Sequence, residues 1–210
     1  MATLIDKYFS QIDFDAIEAA VKKAESLTSG EMAVEMASHS RNWRSENLLQ
    51  ALVVTILSGI ATLYLTRDNN WGVYYDFTQT ALWGGVGFVV AYFGWGRFLR
   101  CQRRRQKVVW FRSLDRFAKL TPVRNLAGVL IFVSLEEDEA AIVADKGIAS
   151  IVSPEYWQTL RAALVDAMKQ GNHAEGIIQA IQTVGSELAL HFPRDNDDIN
   201  ELPDKPTIVD

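Results

Sequence analysis

Cysteine is almost absent from this chain: one thiol, Cys101, in 210 residues excludes a disulfide framework and fits a reducing compartment. Histidine is scarce as well. His39, His173 and His191 have no zinc spacing and no cysteines to complete a tetrahedral set. There is no phosphate-cradling glycine loop, no GxSxG elbow and no CxxC pair. The run from Asp195 to Glu201 begins like a calcium loop but lacks the carboxylate at its fifth position and the glycine at its sixth. Met1 to Ile17 holds no apolar run, so no cleavable signal peptide is expected.

Charge is missing where its absence says most. Asn47 to Thr66 and Phe77 to Gly96 contain no ionisable side chain, and only residues 67–76 separate them. Twenty residues of helix rise about 30 Å, the thickness of a bilayer's hydrocarbon, and a backbone crossing it must satisfy its own hydrogen bonds. The two segments therefore read as a transmembrane hairpin, with helices at 47–66 and 77–96. With no acid, base or histidine inside either helix, a proton or ion path has nothing to run on. Ser58, Gly59 and Thr62 on the first helix and Gly84, Gly87 and Ala91 on the second allow close backbone approach. Tyr64, Trp71, Tyr74 and Tyr75 suit the outer interface, and Tyr92 and Trp95 the inner one.

The flanks set the orientation. Arg41 and Arg44 precede the hairpin, and Arg97, Arg100, Arg103, Arg104, Arg105 and Lys107 follow it, while the connecting loop holds Arg67 alone. The positive-inside bias places both termini in the cytoplasm, in a multi-pass integral membrane protein. The basic run has no aromatic interleaving and no nucleic-acid fold signature, so the bilayer is its expected partner and nucleic acid is not. A surface sensor of anionic lipid is a weaker reading of the same cations.

The rest of the chain suffices for one soluble domain. Asp13 can cap a helix through Leu27, and Glu31 to Ala37 alternates apolar and polar residues like a half-covered strand. A helix is expected over Lys107 to Leu120, strands over Gly128 to Leu135 and Ala140 to Ala144, a helix after Ser153 and Pro154, and a last helix over about Ala174 to His191. His173 and His191, at its two ends, read as surface residues. Since a hairpin returns the chain to the side it left, residues 1–46 and 97–192 are expected to build one α/β domain. Its mixed sheet of three to four strands is flanked by helices and interrupted by residues 47–96. Residues 193–210 read as an acidic tail running over the surface or mobile.

Three stretches, AESLTSGEMAVEM from Ala24, NLAGVLIFVSLEEDEAAIVADKGI from Asn125 and SELALHFPRDNDDINELPD from Ser186, together resemble the TPM domain family. The likeness is to its bacterial membrane-protein branch, in which a hairpin divides the domain, and it implies a place in a bacterial cytoplasmic (inner) membrane. The resemblance implies a TPM-like sandwich tied to membrane complexes, acting in assembly, repair or modulation of partners. For some relatives it also implies a phosphatase activity and bound divalent cations, here calcium or magnesium. The family's strand pair usually turns through an arginine, whereas this one turns through Glu136, Glu137, Asp138 and Glu139. The resemblance carries over to Ser29, Gly30 and Glu31 and to the Asp145 to Ile148 motif with Gly147, as positions near one edge of the sheet.

Among these, Asp145 is the best single candidate for a metal ligand or acid, because a loop after a strand can present a carboxylate from a rigid frame. Its plainer role is a turn aspartate bonded to nearby backbone. Glu31 could join it as a second ligand if the two strand ends coincide. Glu136 to Glu139 offers oxygens for a hard cation, or is simply a solvated hairpin tip. No nucleophile, base and oxyanion donor assemble in the sequence. The expected function is therefore a membrane-anchored binding, assembly or modulatory factor for a membrane protein or complex, the alternative being a divalent-cation-dependent phosphatase.

Overall fold

The computed structural model describes residues 4–41, 43–65, 77–95, 102–120, 127–195 and 200–209. Of the positions singled out above, the loop 67–76 with its aromatics, Arg97, Arg100, Cys101, Asp197 and Asp198 lie outside the described residues. The chain forms two compact units: Met1–Ser40 with Arg105–Asp210, and the intervening Arg41–Arg104.

The first unit is built on a four-stranded sheet of order β3-β2-β1-β4, with β1 Met32–Ala37, β2 Val129–Ser134, β3 Glu139–Ala144 and β4 Thr207–Ile208. β1 runs parallel to β2 and to β4, and β2 runs antiparallel to β3. The helices are α1 Leu4–Tyr8, α2 Gln11–Glu25, α5 Gln102–Phe117, α6 Lys146–Ala149, α7 Pro154–Lys169 and α8 His173–His191. Strand alternation divides the core in two. Met32, Val34, Met36, Val129, Ile131 and Val133 pack against α1, α2, α7 and α8, while Ala33, Ala37, Leu130 and Phe132 pack against Val109 and Phe117 of α5 and Leu202 and Val209 of the tail.

Local signals explain most of these elements. Ser10, rather than Asp13, caps α2: it accepts from the Asp13 amide while the Asp13 carboxylate takes the Ser10 N–H at 2.7 Å, a capping box. Ser153 caps α7 ahead of Pro154, as expected. Gly176 and Gly185 let α8 lie close to its neighbours, since an added Cβ would stand 2.7 Å from the Ala167 Cβ and 2.6 Å from the Ala24 Cβ.

Three expectations are corrected here. β1 is buried on both faces rather than half covered, because α5 and the tail close the side that carries Ala33, Glu35 and Ala37. The tail does not simply run over the surface: Thr207 and Ile208 pair with Glu35 and Met36, and Leu202 and Val209 are buried. His173 is buried against the rings of Tyr8 and Phe9, at centroid distances of 4.5 and 6.0 Å, whereas His191 takes the bland role, 3.3 Å from Glu187 one turn back.

The second unit holds α3 Trp43–Leu65 and α4 Phe77–Val89, the latter followed by a π-helical stretch Val90–Trp95. α3 carries the one span among the described residues, Leu48–Leu65, that is long and apolar enough to cross a membrane, with mean hydropathy 2.0. The second expected helix is not one continuous α-helix. Gly84, Gly85 and Gly87 have the lowest helix propensity short of proline, and beyond them the winding relaxes from α to π. The two helices meet through small residues: Gly84 faces Thr55, a Cβ on Gly87 would come within 2.9 Å of the Ser58 hydroxyl, and Ala51 and Ala91 are buried. The hydroxyls of Thr55, Ser58 and Thr62 bond to carbonyls of their own helix.

Candidate functional site

Buried carboxylates are the chemical feature of the sheet. Glu35 projects from β1 toward α5, where Arg116 meets it with Nε and Nη2, each 2.8 Å from a carboxylate oxygen. This two-pronged contact neutralises a charge that is otherwise sealed off, and the bond to Glu35 raises the Arg116 pKa further. Its partners lie 81 positions apart, so nothing in the local sequence announces it.

The acidic turn between β2 and β3 folds inward rather than standing in solvent. Glu137 and Glu139 are each 1% exposed, while Glu136 remains on the surface. The turn closes with Asp138 at φ 47°, a left-handed conformation that aspartate tolerates better than most residues. That geometry lets the Glu137 carboxylate take the Ser40 amide at 3.0 Å and the Ser134 hydroxyl, while Ser40 donates to Ser134 at 2.7 Å. Arg105, expected only as a topological cation, gives Nη1 to the Glu137 carbonyl at 3.0 Å. Glu139 receives Arg161 Nη1 at 2.9 Å; burial pushes its carboxyl up, and the charge of Arg161 opposes that.

A third cluster joins α2, β1 and the tail. Glu25 accepts the Met32 amide at 2.8 Å, and Glu31 accepts the Leu202 amide at 3.1 Å. The Glu25 carboxyl is pushed up to about 8, chiefly by burial and further by the charges of Glu31 and Asp204, with the Met32 amide acting the other way. Glu25 therefore holds its proton more tightly than a free carboxyl does. Among the described residues no group of three or more His, Cys, Asp or Glu side chains is placed to hold a metal ion.

Of the positions taken from the family resemblance, Glu31 and Asp145 fall at one end of the sheet. The ends of β1 and β3 that carry Glu31 and Asp145 coincide in register, but β2 lies between them, a separation of roughly 10 Å. Asp145 caps α6, accepting the Lys146 amide at 2.7 Å, which is its plainer role. Gly147 sits inside that short helix. Ser29 bonds to the Phe192 and Pro193 carbonyls, and Gly30 leaves room for Leu188, which an added Cβ would meet at 2.9 Å. Ser29 and Gly30 thus seat the end of α8 against the start of β1. Of the basic run, Arg104 is exposed and Lys107 lines a groove beside β3.

No curated protein matches the chain. Its fold is similar to that of the BA42 protein from the psychrophilic bacterium Bizionia argentinensis, solved by NMR, with a TM-score of 0.57 and 23% identity over 98% of each chain. Residues 112–187, from within α5 through β2, β3, α6 and α7 to most of α8, match the family model of the TPM domain.

Proposed function

We propose that this chain is an integral membrane protein of a bacterial inner membrane. On this reading its apolar helices cross the bilayer as a hairpin, both termini are cytoplasmic, and the α/β unit binds or modulates another membrane protein or complex. The observation that carries the reading is the apolar exposure of the second unit. Leu49 and Leu57 on α3 and Leu82 and Phe93 beyond the loop are 66%, 60%, 63% and 70% exposed, a surface that water penalises and lipid does not. On this reading α4 and its π-helical continuation, 19 residues from Phe77 to Trp95, make the second crossing together. Hydroxyls that bond within their own helix, and glycines at the contact, suit a medium that offers no other partners.

The α/β unit supports a binding role by the way its charges are used. Glu35, Glu137 and Glu139 are committed to Arg116, to Ser40 and Ser134, and to Arg161, and so serve to fix one conformation. Carbonate washing of membranes followed by mild detergent extraction and affinity capture tests the reading: the chain should resist carbonate and leave the membrane with a stable partner. Recovery in the carbonate supernatant, or extraction without a partner, would argue against it.

A further inference from the structure

β3 is the edge of the sheet, and its outer side opens into a groove of about 640 Å³. The Asp145 amide donates to the Gly128 carbonyl at 2.8 Å, which fixes that opposed pair as a hydrogen-bonded one. Alternation along the antiparallel ladder then turns the backbone groups of Glu139, Ala141 and Val143 toward β2 and those of Ala140, Ile142 and Ala144 toward the groove. The walls are helical on both faces of the sheet, α5 contributing Lys107 and Trp110 and α7 contributing Trp157 and Arg161. Alanines at 140, 141 and 144 keep the floor low.

The geometry points to β3 as a strand-addition site for an extended peptide that carries acidic side chains. It deepens the binding reading above, on which it rests, by naming the surface and the chemistry of the partner. A strand edge that pairs with no other described strand asks for backbone, which a peptide supplies and a lipid or metabolite does not. Helices standing on both sides admit one strand but obstruct a second copy, whose own edge is walled in the same way. The charge is complementary: in a chain of net charge −5, the groove is lined among the described residues by Lys107 and Arg161 and by no acid. Arg161 gives Nη1 to Glu139 and also lines the groove. Trp110 is 44% exposed, a ring for an apolar side chain to lie on. Trp157 lines the same groove from α7, a second ring beside the strand.

The test uses the full chain in detergent micelles and a fluorescent, end-blocked peptide of alternating valine and glutamate, read by anisotropy. Saturable binding is expected. N-methylation of alternate peptide amides, which removes ladder donors, should weaken it about tenfold or more, as should lysine in place of glutamate. Trp110→Ala and Lys107→Glu, at side chains that leave the core intact, should weaken it as well. Ile142→Pro removes an edge N–H directly but can disturb folding, so the N-methylated peptide carries the decision. Equal binding of the N-methylated or lysine peptide, or no saturation, would overturn the proposal. Because the titration needs no natural partner, saturable peptide binding without a captured complex would sustain the groove and sink the wider reading. A captured complex without peptide binding would do the reverse.

Discussion

Arg116 on α5 holds both carboxylate oxygens of Glu35 on β1, each at 2.8 Å, across the whole inserted unit. The contact joins the part of the sheet made before residue 41 to the helix made after residue 101, so the two halves of the α/β unit cannot be completed separately. Arg116→Ala leaves Glu35 buried and unpaired, which should cost about 3–5 kcal/mol in denaturant unfolding of the α/β unit. Glu35→Gln with Arg116→Met should recover most of that loss. A single Arg116→Ala change within about 0.5 kcal/mol of the parent would show the pair to be dispensable.

Glu25 makes stability depend on pH. A carboxyl whose folded pKa is about 8, against an ordinary 4.5, binds its proton more tightly in the folded state. Its contribution is complete below about pH 4.5 and is lost as pH rises through about 8. Ionised Glu25 would then face Glu31 and Asp204, straining the hold on the tail. Glu25→Gln keeps an acceptor for the Met32 amide, and should leave stability unchanged near pH 4.5 while raising it at about pH 8.5 by on the order of 1–3 kcal/mol. Chemical denaturation at the two pH values measures this, and parallel pH profiles for parent and variant would remove Glu25 as the cause.

Gly185 and Gly176 should resist the usual benefit of alanine in a helix. Alanine gains about 1 kcal/mol of helix propensity, but each new methyl enters a contact already filled by Ala24 or by Ala167 and Leu164. Overpacking of about 1–3 kcal/mol should win, giving a lower melting temperature for Gly185→Ala in particular. A raised melting temperature would mean that α8 can shift away from α2 at little cost.

Asp145 should behave as a helix cap. Asp145→Ala is expected to lower stability by about 1 kcal/mol and to leave the heats of calcium and magnesium titration unchanged from the parent chain. Saturable metal binding that disappears in the variant would restore Asp145 as a ligand and bring the phosphatase alternative back with it.

Much of the fold was legible because it is written in short-range patterns. Apolar periodicity marks α2, α7 and α8, the continuous run Gly128 to Leu135 marks β2, and Ser153 with Pro154 marks where α7 begins. β4 was hidden because two residues between Pro206 and Val209, in an acidic stretch, carry no alternation to read. The inward turn of Glu137 and Glu139 was hidden for another reason. Four acids in a row look solvated until Ser40 and Arg161, 97 and 22 positions away, are found waiting for them. The spacing of Glu31 and Asp145 was hidden in the same manner, since sequence places them at strand ends but does not say that β2 lies between them.

The most direct test of the account uses the single native thiol. Cys101 follows the second apolar stretch and should be cytoplasmic, whereas a cysteine at Asn69→Cys, in a Cys101→Ser background, should face the other side. Membrane-impermeant maleimide on cells with a permeable outer membrane and an intact inner one should label Asn69→Cys at once, and Cys101 only after the inner membrane is opened. Labelling of both positions from one side, or recovery of the chain in the soluble fraction, would contradict a hairpin that crosses the bilayer twice.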